Sequence, residues 1–154
     1  MTRERDQTIR DFGDQWTRHT ENRAYYAGSE LFADIIHPFL SPADVAGKKC
    51  ADIGSGTGRI VLMMLNAGAS HVTAIEPSAA FEVLKRNVTE AGDRVSALNV
   101  RGDEIPAADF DVILSIGVLH HIPEPKPVVD AAFKALRPGG KMLIWLYGSE
   151  GSAA

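Results

Sequence analysis

A short apolar strand runs into Asp52 and is followed by glycines at alternate positions, Gly54, Gly56 and Gly58; no other feature constrains this chain as much. Residues 50–59 read Cys-Ala-Asp-Ile-Gly-Ser-Gly-Thr-Gly-Arg, and a helical pattern opens directly afterwards with Arg59-Ile60-Val61-Leu62. Glycine adopts positive φ freely and puts no Cβ between a ligand and the backbone. The helix that follows points unpaired N–H groups at the same spot. Strand, glycine turn and helix in this order predict a cradle for a nucleoside-like cofactor.

The spacing narrows the choice. The dinucleotide fingerprint G-x-G-x-x-G sets its third glycine three residues after the second. Arg59 stands there, so that pattern fails, and the stretch reads D-x-G-x-G-x-G from Asp52 to Gly58. It resembles the first motif of the class I S-adenosylmethionine-dependent methyltransferases, in the small-molecule branch related to quinone-biosynthesis enzymes. That resemblance implies S-adenosyl-L-methionine as cofactor, with Asp52, Gly54, Ser55, Gly56 and Gly58 lining it. A loop whose glycines serve turn geometry alone is the plainer alternative.

Composition agrees with one ordinary globular domain. The 154 residues are 45% hydrophobic and 23% charged, with a formal net charge of −4. That charge argues against a nucleic-acid partner held by a basic surface and favours a small-molecule substrate. The single cysteine, Cys50, opens a predicted buried strand and reads as core. The start of the chain has no apolar signal region, and no run approaches the ~18 apolar residues of a membrane span. The expectation is a cytoplasmic protein with no membrane partner and no metal site.

Strand and helix patterns alternate along the chain. A helix is expected over 21–40, with Leu31, Phe32, Ile35, Ile36 and Phe39 as its apolar stripe and Pro38 disturbing or ending it. Strand 50–53 leads into helix 58–66, strand 71–76, and a helix from a Ser78 cap to Ala91 that Gly92 closes. In that helix Phe81, Leu84 and Val88 face inward and Glu82 pairs outward with Arg86. Strand 95–100 is less apolar and belongs near a sheet edge. Strand 110–116, a helix over 127–136 using Val128, Val129, Ala132, Phe133 and Leu136, and an Arg137–Gly140 turn into strand 141–147 complete the order. The alternation predicts an α/β, Rossmann-like, doubly wound parallel sheet, and the apolar runs 112–114 and 142–146 suit strands buried on both sides. The resemblance, which spans roughly residues 45–147, implies the strand order 3-2-1-4-5 and a cofactor across the carboxyl ends of strands 1, 2 and 4, as the switch-point rule requires. Three regions are expected: an N-terminal helical segment over 1–44 as lid and substrate side, the cofactor-binding core over 45–147, and a flexible tail over 148–154.

Outside the glycine loop, Glu76 ends the second strand, followed by Pro77. A carboxylate there accepts hydrogen bonds from a ribose diol; the alternative is a surface acid capping the next helix. Asp103 and Glu104 follow the third strand, where the resemblance implies that the acid accepts from the adenine amino group and the next residue's backbone reads the ring edge. A Gly-Asp turn with local bonds only is the other reading. For Asp52 the resemblance implies a role in ordering the loop and facing the cofactor's amino acid end.

Ser115–Leu119 resembles the family's fourth motif, so Ser115 and Leu119 are placed beside the methionine part and the methyl group. His120 is the candidate general base, against a loop-shaping role for the His120-His121 pair. Methyl transfer itself asks mainly for collinear nucleophile, carbon and sulfur. Phe12, Trp16, Tyr25 and Tyr26 could close over the cofactor or pack the leading helices.

The reading is thus a methyltransferase acting on a small-molecule acceptor by in-line displacement. An NAD(P)-binding oxidoreductase and a non-catalytic binding module are the alternatives. The family continues past strand 5 with a helix and two strands, whereas Tyr147 is followed here by Gly148-Ser149-Glu150-Gly151. The expectation is a truncated, a partial or a partner-completed domain whose strand 5 edge self-associates or takes a partner strand.

Overall fold

The computed structural model describes residues 28–148. Helix α1, Ser29–Ile36, precedes β1, Lys49–Ile53; α2, Arg59–Asn66; β2, His71–Ile75; α3, Ala80–Asn87; β3, Val95–Leu98; β4, Phe110–Ile116; α4, Lys126–Ala135; and β5, Leu136–Trp145. All pairings are parallel and the order is β3-β2-β1-β4-β5, as expected. The sheet is Rossmann-like and β3 is at its edge.

Two apolar clusters pack the two faces. Cys50, Val72 and Val112 join Met63 and Met64 of α2 and Phe32 and Ile36 of α1 on one side. Ala51, Ile75 and Ile113 meet Val128 and Ala132 of α4 on the other. Alternate residues of β1 therefore serve opposite layers, which is what a strand with helices on both sides requires. Cys50 is fully buried, and desolvation first, then Asp111, pushes its thiol up to about 12; it is core.

Several local expectations are corrected. Residues 21–27 lie outside the described residues; within them α1 ends at Ile36, before Pro38, and Phe39 is 76% exposed instead of completing the stripe. Helix α3 stops at Asn87, and a 3-10 turn, Thr89–Arg94, continues the chain, with Gly92 breaking it at φ 54, ψ −129. Glu82 pairs with Lys85, at 3.3 Å, and not with Arg86. Phe133 is 78% exposed, since Ala132 and Ala135 already fill the inner face of α4.

The largest departure is β5. It starts at Leu136, and its register against β4 steps from Phe110↔Leu136 to Val112↔Lys141, so residues 137–140 bulge outward. Arg137 pairs with Asp111 at the bulge, and an added Cβ on Gly140 would lie 2.8 Å from the Phe110 carbonyl oxygen. The strand ends at Trp145, and its run is not buried on both faces: Ile144, Trp145 and Leu146 are exposed.

Candidate cofactor site

Strands β1, β2 and β4 end at one edge of the sheet, and the loops that leave them are tied together. The N–H groups of Gly54 and Ser55 both donate to the Ile75 carbonyl, each at 2.9 Å, which fastens the glycine loop to the end of β2. Ser55 Oγ donates to the Asp52 carbonyl at 3.0 Å, and Gly58 N–H donates to the Ser55 carbonyl at 2.9 Å. Gly58, with φ 99, then opens α2. At Gly54 φ is 78, and a Cβ would meet both methyl carbons of Val118 at 2.5 and 2.6 Å. The glycine is needed there to admit the loop after β4, so this requirement is internal packing.

Glu76 follows β2 and is 3% exposed. Its Oε1 accepts from Gly56 N–H at 2.7 Å and its Oε2 from Ser78 N–H at 2.9 Å. One carboxylate thus joins the glycine loop to the turn before α3, so it is a buried brace and not a surface acid, although it does serve the start of that helix. Asn99 Nδ2 donates to the Glu76 carbonyl at 2.9 Å and links the segment after β3 to the same point. Pro77 is half-buried beside it.

Asp52 lies 1% exposed at the end of β1, and its Oδ2 has no hydrogen-bond partner among the described residues. Burial pushes its carboxyl up to about 7; the Ser55 hydroxyl opposes this, the Glu76 charge adds to it, and Arg59 opposes it. Ser115, fully buried near the end of β4, likewise has an Oγ without a partner among the described residues. Buried polar atoms are almost always satisfied, so two such atoms at the ends of adjacent strands mark a place where a ligand supplies the partners. A donor-rich, cation-bearing group fits these residues.

The remaining predicted residues meet the same edge with differences. Gly102–Glu104 forms a 3-10 turn, and Gly102 packs so closely on Ile53 and Val128 that a Cβ would come within 2.9 Å of both. Asp103 therefore stands near the end of β1. Its carboxylate accepts from Arg101 Nε at 3.1 Å and Nη2 at 2.9 Å, and Glu104 lies 3.5 Å from the same guanidinium.

Leu119, buried, begins a 3-10 turn that carries His120 and His121 to the surface. Their rings are 4.0 Å apart, and His120 lies 5.0 Å from Tyr147 in an edge-to-face arrangement. Burial, then the neighbouring His120, lowers the His121 pKa. Phe12, Trp16, Tyr25 and Tyr26 lie outside the described residues.

Sequence reasoning missed Asn99, Arg101, Val118 and Tyr147, and it read Ser78 only as a helix cap, not as a backbone donor to Glu76. Only Arg101 left a signal, a cation two and three residues before two acids. The others act through backbone groups or through contacts between distant loops. Arg59, which stands where a third glycine would and opens the helix, is also the cation whose charge acts on Asp52.

A family model described as a methyltransferase domain matches residues 51–142. A ubiquinone biosynthesis O-methyltransferase of Idiomarina loihiensis is 36% identical over 103 residues, 64% of this chain and 42% of that protein. A tRNA U34 carboxymethyltransferase of Shewanella amazonensis is 35% identical over 117 residues, 72% of this chain and 34% of that protein. The chain thus spans less than half the length of these curated relatives. Among solved structures, an S-adenosylmethionine-dependent methyltransferase from Mesorhizobium loti superposes with a TM-score of 0.62 at 23% identity, over 76% of this chain and 52% of that one, a likeness of fold. The matched stretch contains the last three residues of β1, the glycine loop, Glu76, Asp103 and the end of β4, and on that ground the chain belongs to the methyltransferase domain family.

Proposed function

We propose that this chain is the cofactor-binding part of an S-adenosylmethionine-dependent methyltransferase that transfers a methyl group to a small-molecule acceptor. The carrying observation is the pair of buried acids at the ends of β1 and β2, Glu76 bracing the glycine loop and Asp52 keeping an acceptor oxygen unspent. S-adenosylmethionine supplies a methyl group already activated on a sulfonium. The chain's own residues then have to bind, orient and exclude water. In this reading Glu76, with Pro77 beside it, takes the ribose through the lone pairs its backbone bonds leave over, since a carboxylate has about four acceptor sites. Asp103 and Glu104 take the adenine edge, with Arg101 holding Asp103 in place.

Gly54, Ser55, Gly56 and Gly58 give backbone approach, and Ser115 and Leu119 line the methyl-bearing end. His120 stands at the exposed rim, where it can accept a proton from an acceptor hydroxyl. The division into a lid over 1–44, a core over 45–147 and a tail over 148–154 belongs to the same proposal, as does a cytoplasmic location. Among the described residues no helix is long and apolar enough to cross a membrane.

Two sources of acceptor are open to a chain with these relatives, a quinone-like small molecule and an RNA. The net charge of −4 favours the small molecule. For partners, we infer that the outer edge of β5, which pairs with no strand among the described residues, takes a strand from a second copy. Titration calorimetry tests the cofactor reading: S-adenosylmethionine and S-adenosylhomocysteine bind and NADH does not. Tight NADH binding with no response to S-adenosylhomocysteine would sink it in favour of the oxidoreductase alternative.

A further inference from the structure

We propose that Tyr147, with Trp145 and His120 beside it, is the surface that holds the methyl acceptor, and that this acceptor presents a flat aromatic ring carrying no phosphate. This rests on the cofactor reading above and names the acceptor class. The loop after β4 and the end of β5 are joined. Gly117 N–H donates to the Trp145 carbonyl at 2.8 Å, just beyond the last register pair, Ile116↔Trp145. Gly117 is buried at φ 69, and a Cβ there would lie 3.4 Å from Tyr147 Cε2 and 3.6 Å from its hydroxyl oxygen. The phenol ring thus rests against the bare backbone of that loop. Tyr147 meets two further rings edge-to-face, Trp145 at 4.8 Å and 67° and His120 at 5.0 Å and 89°. These are separations and tilts at which aromatic pairs attract. Rings meeting at such angles form the sides of a corner and not a closed stack.

The surroundings of that corner define its occupant. Its rings are in water: Trp145 is 42% and Tyr147 60% exposed. It stands at the carboxyl ends of β4 and β5, beside the Ser115–Leu119 loop that the cofactor reading puts at the methyl-bearing end. Asp103, on the adenine side of the same reading, follows β3 at the opposite edge of the sheet. Segments 115–123 and 142–148 contain no lysine or arginine. Exposed rings that stack the bases of a nucleic acid strand sit in grooves of cations that follow its phosphates. This corner offers no such cations, so it suits a free ring and not a strand. His120 places one polar group at its rim, and aromatic walls with few polar groups are the make-up of small-molecule sites. A saturated ring could fill the same space, but it lacks the π face that edge-to-face and offset contacts use.

Nuclear magnetic resonance on the full, isotopically labelled 154-residue chain tests this, with naphthol titrated in the presence of S-adenosylhomocysteine. Decahydronaphthol, the same alcohol on a saturated frame, is one control, and uridine monophosphate, a flat ring with a phosphate, is the other. Trp145→Phe distinguishes the Trp145 indole signal from that of Trp16, the other tryptophan of the chain. We expect naphthol to shift the Trp145 indole N–H and the Gly117 amide and to show interligand nuclear Overhauser effects with S-adenosylhomocysteine. It should bind about threefold or more tighter than either control. Tyr147→Ala should weaken naphthol binding about two- to tenfold, and Tyr147→Phe, which keeps the ring, by less than about twofold. The comparison of the three ligands on the wild type decides the matter even where a variant fails to fold. Equal binding of decahydronaphthol, tighter binding of uridine monophosphate, or absence of interligand effects overturns the inference alone. So does a Trp145 signal that follows protein concentration and ignores naphthol, which would make the corner a contact between two copies. Failure of S-adenosylhomocysteine to shift the Gly54 and Gly56 amides overturns the cofactor reading and the acceptor assignment with it.

Discussion

At the residue scale, Glu76 does two things with one carboxylate, and the structure changes what its removal should do. The sequence reads Glu76 as an acid that binds cofactor or caps a helix, with no part in holding the glycine loop. Its bonds to Gly56 and Ser78 at 2.7 and 2.9 Å join two loops from a buried position. Hydrogen bonds to a charged acceptor contribute roughly 1.5–3 kcal/mol each, and buried donors left without partners cost more. Glu76→Ala should therefore lower stability by about 2–4 kcal/mol and weaken S-adenosylhomocysteine binding by ~10–150-fold. Chemical denaturation and calorimetry on the same sample measure both. A variant with wild-type stability would mean the brace is dispensable, and one with wild-type affinity would move the ribose elsewhere. The identity of this acid was legible in the chain because its position follows from strand length and motif spacing. Its second role was not, because the partners are backbone N–H groups, which no side-chain pattern announces. Gly54 makes the same point: its need for glycine comes from Val118, more than sixty residues away in the chain, and no local signal carries that contact.

At the scale of elements, apolar alternation and turn residues placed the five strands and the resemblance to the methyltransferases implied their order, while boundaries moved wherever a tertiary contact intervened. Helix α3 was expected to reach Ala91, but it stops at Asn87, whose side-chain amide donates to the Thr57 carbonyl at 2.8 Å and turns the end of the helix toward the glycine loop. Strand β5 was expected to begin after the Arg-Pro-Gly-Gly turn. Pairing with Phe110 reaches back to Leu136 because the bulge over 137–140 absorbs the extra residues. A bulge of this kind is decided by the partner strand and leaves no periodicity of its own. The same strand carries the edge. Ile144 and Trp145 are 37% and 42% exposed, and Lys141 is the one charged residue on the segment Lys141–Trp145, so little blunts pairing with another chain. We expect the 154-residue chain to self-associate in a concentration-dependent way, and Ile144→Lys to reduce this while leaving the far-ultraviolet circular dichroism unchanged. Size exclusion with light scattering reads the mass directly. A monomer at high concentration in the wild type would show that the edge is covered.

At the scale of the whole molecule, the ionisable groups pull stability in opposite directions across neutral pH. Asp52 is raised from 3.8 to about 7 by burial, so between those values the folded chain holds a proton that the unfolded chain has released. Stability contributed by this group therefore falls as pH rises through that window and is flat above it. His71 and His121 act oppositely. Burial first, and then Lys49 for His71 or His120 for His121, lowers both below 6.5. Below that value the unfolded chain binds more protons, so stability rises with pH until the unfolded histidines are neutral. In the wild type the two slopes partly cancel below pH 6.5, and only the decline due to Asp52 survives towards pH 7. Asp52→Asn removes one side of this balance. Its melting temperature should climb as pH rises towards about 6.5 and then level off. Relative to wild type its stability should gain about 2–3 kcal/mol between pH 5 and pH 8, or ~6–12 °C. A melting series on both proteins in matched ionic strength measures the difference. A gap of constant size from pH 5 to pH 8 would mean that Asp52 is already charged in the free protein, with its second oxygen satisfied by something other than a proton. A gap that widens as pH rises would identify the acid at the end of β1 as a group held neutral by its surroundings.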